Sequence, residues 1–309
     1  MQDWWQATFP QGKQYLTISD ACGYPVKIAY GEKGKGKPLF LLHGVGSWSY
    51  NWRNSVEALS KYFRVICFDA KGFGFSEKPL YRQEIPGHQA IEFERIICQL
   101  CDEPVIIVAE SLGALISLAI AQNNPQLIAS MVVINLPVFA EDLPHWGMKA
   151  LSMAPLEVIK VIDYLRLTYW FAPLVRKLIE TERREVLFDP SILTKKDIYW
   201  ITYPFIKIPG TLSKAAEELQ IAAQEINKSR TNKGSWLTQI QDKLHLINSP
   251  VLILWGEYDS WFPPSHGEKL NQYLPNSKLQ IIPKCGHDAS TGATKIINQA
   301  VIDFLIKKI

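Results

Sequence analysis

The sequence predicts an α/β protein: a mostly parallel, eight-stranded sheet with helices on both faces, interrupted by an inserted helical cap. Three observations carry that expectation. Short, wholly apolar runs recur, as strands buried on both faces of a parallel sheet require. Segments of helical periodicity separate them, at a rhythm that argues right-handed crossovers. The rhythm stops at Pro137 and resumes only after about residue 240.

Residues 14–19 and 25–31 alternate apolar and polar side chains on either side of a turn at Gly23, and read as an opening antiparallel hairpin. Residues 39–42 form the first wholly apolar run, and 65–68, 105–108 and 131–134 repeat it. Helical segments fall at about 49–62, 88–101 and 112–123 between them. From 137 to 240 no buried strand is legible. That stretch has helical periodicity, is rich in Leu, Ile, Trp, Tyr and Phe, and is broken at Pro155, Pro173, Pro190, Pro204 and Pro209. Strand signals return at 251–255 and 279–282, and a helix at about 292–307 closes the chain. The expected organisation is a core domain of 1–136 and 241–309, with 137–240 as a cap inserted between the sixth and seventh strands. No internal repeat or low-complexity tract is evident.

Composition narrows the function. The chain has 309 residues, enough for a large core, and its 47 % apolar and 20 % charged residues are those of a globular protein. Net charge is +3, spread along the chain, and the densest basic run, 33–37, alternates with glycine as a turn between strands would. Nucleic-acid binding needs a basic patch and is not expected. Cys22, Cys67, Cys98, Cys101 and Cys285 are odd in number and irregular in spacing, which argues against a disulfide framework and for a reducing compartment. Cys98 and Cys101 have no second pair and end an amphipathic helix, so packing is expected of them rather than zinc or redox chemistry. The N-terminus has no basic region followed by an apolar stretch, and no run is long enough to span a bilayer, which implies a soluble, cytoplasmic protein. No metal-ligand cluster or phosphate-cradling loop is visible, so no cofactor is expected.

Ser111 lies in Ala109-Glu110-Ser111-Leu112-Gly113, directly after the run 105–108 and directly before the helical segment 112–123. A serine hydroxyl is a poor nucleophile unless one feature holds it exposed and another takes its proton. A strained strand-to-helix turn does the first, and small residues at 109 and 113 let strand and helix approach closely around it. The usual pattern is G-x-S-x-G, and alanine replaces its first glycine. Leu112 starts the helix, so its N–H can face developing negative charge. A serine that merely caps the helix is the plain alternative. His43-Gly44-Val45-Gly46 follows 39–42, where such a loop supplies a second oxyanion donor, by position the Val45 N–H, with His43 bracing the loop.

His287, in Lys284-Cys285-Gly286-His287-Asp288, follows the last strand, at the edge where open parallel sheets hold their sites. Asp259, in Trp255-Gly256-Glu257-Tyr258-Asp259, follows the preceding strand at the same edge. An acid is needed there to fix the imidazole tautomer and to stabilise the imidazolium. Glu257 falls two residues early, Asp288 cannot easily reach around to the ring of the adjacent histidine, and Asn135, after the sixth strand, is an amide. The expected catalytic residues are therefore Ser111, Asp259 and His287, in the chain order Ser, Asp, His.

These segments, with the loop Asp69-Ala70-Lys71-Gly72-Phe73-Gly74-Phe75-Ser76, resemble the α/β-hydrolase superfamily. The resemblance covers about 25–135 and 245–309, and is to the branch of lipophilic esterases, carbon–carbon bond hydrolases, haloalkane dehalogenases and epoxide hydrolases. It implies the α/β-hydrolase fold and a hydrolase. The last two chemistries use aspartate at the nucleophile position, so serine at 111 disfavours them.

The expected reaction is cleavage of a carboxylic ester through an acyl-enzyme on Ser111, with Val45 and Leu112 as the oxyanion hole. Leu165, Leu167, Tyr169, Trp170, Phe171, Trp200, Tyr203 and Phe205 give the cap an apolar supply, so a small-molecule ester with a hydrophobic part is the expected substrate. Packing the cap onto the sheet is their plain alternative role. Candidate pocket residues are His43, Gly44, Trp48, Trp52, Glu110, Trp170 and Trp261. Three other readings compete. A carbon–carbon bond hydrolase would use the same triad but need polar groups for a dienoate-type acid, of which Arg166 and Arg176 are the obvious ones. A hydrolase-fold ligand-binding protein would not turn over, and an acyl transferase would differ only in the acceptor. The stretch 149–184 mixes basic and large apolar residues, the composition of a membrane-surface contact.

Overall fold

Successive residues of a strand point to opposite faces, and the central strands here divide their side chains accordingly. In β3 (Pro38–Leu42), Leu39 and Leu41 enter one apolar cluster, Phe40 and Leu42 the other. In β5 (Val105–Glu110), Ile106 and Val108 join the first pair, and Val105, Ile107 and Ala109 the second. Both strands are buried along their whole length. A computed structural model describes residues 2–80, 83–231 and 233–306; residue 307, the predicted end of the closing helix, lies outside them.

The sheet is completed by β1 (Gln14–Ser19), β2 (Pro25–Lys33), β4 (Arg64–Phe68), β6 (Ile128–Ile134), β7 (Val251–Gly256) and β8 (Ser277–Ile282). Its eight strands run in the order β1-β2-β4-β3-β5-β6-β7-β8. β2 is antiparallel to both β1 and β4, and all other neighbours are parallel; the β1–β2 hairpin and the mostly parallel sheet match the sequence reading. After β4 the chain crosses to the far side of β3 to lay down β5. Crevices outside the carboxyl ends of strands open at such a switch point.

The helices before the long insertion are α1 (Trp4–Thr8), α2 (Val56–Leu59), α3 (His88–Leu100) and α4 (Leu112–Asn123). Between β6 and β7 come α5 (Trp146–Met153), α6 (Leu156–Tyr164), α7 (Leu167–Trp170), α8 (Ala172–Glu185), α9 (Lys195–Lys207), α10 (Thr211–Arg230) and α11 (Trp236–Asp242), with no strand among the described residues. α12 (Pro264–Tyr273), α13 (Ala289–Gly292) and α14 (Thr294–Ile306) follow. α3 and α4 cover one face of the sheet, and α1, α2 and α14 the other.

The structure departs from the sequence reading in four places. The segment 49–62 is not one helix. Ser49–Trp52 is a 3₁₀ turn and α2 a single α-turn, because buried Asp69 takes both the N–H and the hydroxyl of Ser49, at 2.8 and 2.6 Å. α1 was not foreseen, although Asp3 caps it through the Trp5 N–H at 2.8 Å. Its Trp4 and Trp5 pack with Trp48 in the second cluster. The expected closing helix is α14, and α12 and α13 were not foreseen.

Candidate active site

β5 passes into α4 through Ser111, which has φ 55° and ψ −124°. A positive φ at a residue with a side chain costs about 1–3 kcal/mol and persists only where its surroundings enforce it. Here they do. A Cβ at Gly113 would stand 2.6 Å from the His43 carbonyl oxygen, and one at Gly44 would stand 3.0 Å from the Ser111 Cβ. The loop after β3 thus lies directly against the serine. Alanine at 109, in place of the usual glycine, packs its methyl into the same buried apolar cluster as Leu42 and Val133.

The Ser111 Oγ is 3.2 Å from Nε2 of His287, and Nδ1 of that ring is 3.0 Å from Oδ2 of Asp259. All three residues are buried. Oδ1 of Asp259 accepts from the Trp261 and Phe262 N–H groups at 2.9 and 3.0 Å, which leaves Oδ2 turned to the ring. Burial favours the neutral imidazole, but the Asp259 carboxylate and its hydrogen bond, with Glu110 and Asp288 nearby, hold the His287 pKa above its ordinary value. The half-buried Trp261 ring lies over the imidazole, with centroids 4.5 Å apart.

Two residues hold the loops that carry this arrangement, and the sequence reading gave neither that role. Asn135 follows β6 with φ 47°, a left-handed conformation that asparagine tolerates better than most residues. Its Nδ2 donates to the Gly286 and His287 carbonyls at 3.1 and 2.7 Å, and its Oδ1 accepts from the Gly256 N–H at 2.8 Å. One amide therefore ties the ends of β6 and β7 to the histidine loop. Glu110 accepts from the Ala289 and Ser290 N–H groups at 2.8 and 3.0 Å, from the Ser290 hydroxyl at 2.8 Å and from Asn51 at 2.6 Å. Burial, and then the charge of Asp288, push its carboxyl up to about 7.

His43 is turned away from the serine chemistry. Its Nε2 accepts from the Ala70 N–H at 3.1 Å and its Nδ1 donates to the Gly44 carbonyl at 2.9 Å. Burial lowers its pKa, so the ring is a neutral brace. Leu112, the first residue of α4, has an N–H that the helix itself cannot satisfy, and Val45 follows the glycine that touches Ser111.

A cavity of about 490 Å³ opens beyond Val45 and Gly46, walled mainly by apolar side chains of α5, α8, α9 and α10. The structure corrects the expected pocket here. Of the aromatic residues named for the insertion, only Phe205 lines this cavity. Trp170 is 72 % exposed, because α7 is a single turn at the surface. Trp52 is fully buried in the second cluster, Trp48 is held there with its Nε1 donating to the Trp200 carbonyl at 3.0 Å, and Glu110 is occupied by the loop it braces. Trp146, Leu151, Leu178, Leu212 and Leu219 form the wall instead. Arg183, also unforeseen, lines it too. Its guanidinium donates to the Gly46 carbonyl at 3.4 Å, while its buried Nε has no hydrogen-bond partner among the described residues. No group of three or more His, Cys, Asp or Glu among the described residues could hold a metal ion.

Comparison with known proteins agrees with this fold. A family model described as alpha/beta hydrolase fold matches residues 37–291. Human epoxide hydrolase 4 is 26 % identical over 304 residues, covering 94 % of this chain and 78 % of that protein. A 2-hydroxy-6-oxononadienedioate/2-hydroxy-6-oxononatrienedioate hydrolase from Comamonas testosteroni is 23 % identical over 296 residues, covering 94 % of this chain and 96 % of its own. The structure of a thermophilic esterase from Thermogutta terrifontis superposes with a TM-score of 0.67 at 21 % identity, covering 95 % of this chain and 98 % of that one.

Proposed function

Because the chain belongs to the alpha/beta hydrolase fold family, we propose that it is a serine hydrolase that cleaves a carboxylic ester with a hydrophobic moiety, through an acyl-enzyme on Ser111. The observation that carries this reading is the hydrogen-bonded chain from Asp259 through His287 to Ser111, at 3.0 and 3.2 Å. His287 takes the hydroxyl proton through Nε2 as Oγ attacks the acyl carbon, and Asp259 holds Nδ1–H and stabilises the imidazolium. The Val45 and Leu112 N–H groups receive the oxyanion, each worth about 3–4 kcal/mol of barrier. His287 then protonates the departing alcohol, and water resolves the ester on Ser111. Residues 137–240 act as the cap, and the cavity they wall receives the hydrophobic part of the substrate. The five free cysteines fit the reducing cytoplasm.

Opening an epoxide with Ser111 would leave an ether, which activated water cannot cleave as it cleaves an ester. The serine therefore sets this chain apart from epoxide chemistry. Hydrolysis of a carbon–carbon bond by the same three residues is the second reading, and Arg183 is the observation that favours it. A guanidinium with an unpartnered Nε in a mainly apolar cavity, whose other polar lining residues are His145, Thr168 and Glu182, suits a substrate carboxylate. The test is steady-state turnover of nitrophenyl esters graded by acyl length, against a vinylogous diketone acid. The ester reading expects kcat/KM to rise with acyl length and to vanish in Ser111→Ala. Preference for the diketone acid, with KM raised by Arg183→Met, would replace it with the second reading.

A further inference from the structure

Two helices between β6 and β7, α6 and α8, carry apolar residues on their outer faces. In α6, Val158 and Val161 are 53 % and 54 % exposed, and Leu165, just past its end, is 51 % exposed. Their spacing of three and four residues puts them on one helical face. The opposite face is fixed inward, because Asp163 is buried and its Oδ2 accepts from the N–H and hydroxyl of Ser213 on α10, at 2.7 and 2.5 Å. Phe171, Leu174 and Leu178 repeat the spacing along α8, each more than half exposed, and Tyr164 and Trp170 stand between the two helices in sequence, at 85 % and 72 %. Surface helices ordinarily turn such a stripe to the core. Large apolar surfaces facing water mark interaction sites.

The charge around the stripe selects the partner. Lys149, Lys160, Arg166, Arg176 and Lys177 lie in this stretch. Lys149 is paired with Asp142 at 2.6 Å and Lys160 with Glu157 at 2.8 Å; Asp163 is buried, and the acids of α8, Glu180, Glu182 and Glu185, lie toward its C-terminal end, where Glu180 pairs with Arg184 at 2.9 Å. Exposed apolar residues edged by Arg166, Arg176 and Lys177, which have no carboxylate partner among the described residues, suit a bilayer surface with anionic headgroups. No helix among the described residues is long and apolar enough to cross a membrane, so contact would be peripheral. Trp146 and Leu178 are both more than half exposed and both line the 490 Å³ cavity, so the cavity wall reaches the surface at this face.

We propose that the outer face of α6–α8 docks on an anionic lipid bilayer, so that a lipophilic substrate enters the cavity from the membrane; the substrate route, though not the docking, rests on the hydrolase reading above. The test is co-sedimentation with vesicles of phosphatidylcholine alone or mixed with phosphatidylglycerol, with quenching of tryptophan emission by brominated lipid as a second readout. The protein should pellet with the anionic vesicles, bind about tenfold more weakly to phosphatidylcholine or in high salt, and be quenched at Trp170. A Val158→Ser/Tyr164→Ser/Leu174→Ser variant, altered only at exposed positions, should lose about tenfold in binding while hydrolysing a water-soluble ester as before. Protein that stays in the supernatant with both vesicles at low salt overturns the docking, as does a triple variant that binds equally well. Self-association by light scattering that this variant abolishes, without vesicle binding, would make the face a dimer contact instead. Ester hydrolysis is scored separately, so its failure alone counts only against the hydrolase reading.

Discussion

At His287 two opposed effects meet. Burial pushes the imidazole toward its neutral form, while the Asp259 carboxylate, with Glu110 and Asp288, pulls it toward the cation, and the charges outweigh the burial. Only the neutral ring can take the Ser111 proton. Activity should therefore rise with pH through a value above the ordinary imidazole 6.5. Asp259→Asn removes the largest stabiliser of the cation, so the acid limb should move to lower pH while the plateau kcat falls by about 10⁴. A pH–rate profile whose limb stays in place would show that Asp259 does not set this equilibrium. The three residues of this chain were legible because each follows its own apolar run, and the run fixes the sheet edge at which its side chain emerges. Asn135 and Glu110 were not. Asn135 was weighed only as a missing acid, since an amide's work depends on which loops come within its reach, and that is decided by the pairing of β6 with β7 and of β7 with β8.

Among the elements, the strands buried on both faces were the most legible, because a wholly apolar run has few other homes in a chain of this kind. Their ends were not: β5 continues two residues past its apolar run to Glu110, and β6 starts three residues before its own, and Glu110 and Ser130 interrupt the apolar signal at these ends. The loops after β6, β7 and β8 depend on one another through Asn135. Asn135→Ala would strip a partner from the Gly256 N–H and from the Gly286 and His287 carbonyls, all at a buried position. Leaving such groups unsatisfied costs about 1–3 kcal/mol each, partly recovered by relaxation. A loss of about 2–4 kcal/mol in denaturant unfolding is expected, with kcat reduced beyond the loss of folded protein. Unchanged stability would mean that the three loops hold themselves.

On the scale of the whole molecule, the insertion is fastened to the core beside the site. Arg53 meets Asp197 of α9 at 2.6 Å, and the Tyr50 hydroxyl donates to the same carboxylate at 3.0 Å. On the other side, Lys214 of α10 joins Glu84 and Glu217, and Glu84 is shared with Lys71, which also pairs with Glu92. Burial alone would raise the Asp197 pKa, but Arg53 and the surrounding donors hold it below the ordinary 3.8. A depressed carboxylate stabilises the fold fully above that value and ceases to as pH falls through the native one. Arg53→Met should cost about 3 kcal/mol near neutrality, and the gap to wild type should close in acid; a gap independent of pH would place the effect in packing. The run of helices between β6 and β7 was legible from the break at Pro137, whereas the cavity they wall was not. Helical periodicity says which residues share a face but not which face meets the sheet, and so Trp170 was expected inside and stands outside. Three stretches far apart in the chain supply Ser111, Asp259 and His287, and the proposed chemistry depends on their acting as one unit. Mass-spectrometric mapping of a fluorophosphonate adduct tests that most directly. The adduct should fall on Ser111, be absent in Ser111→Ala, and form at least about 10³-fold more slowly in folded His287→Ala. An adduct on another residue, or a rate on Ser111 indifferent to His287, would contradict the account.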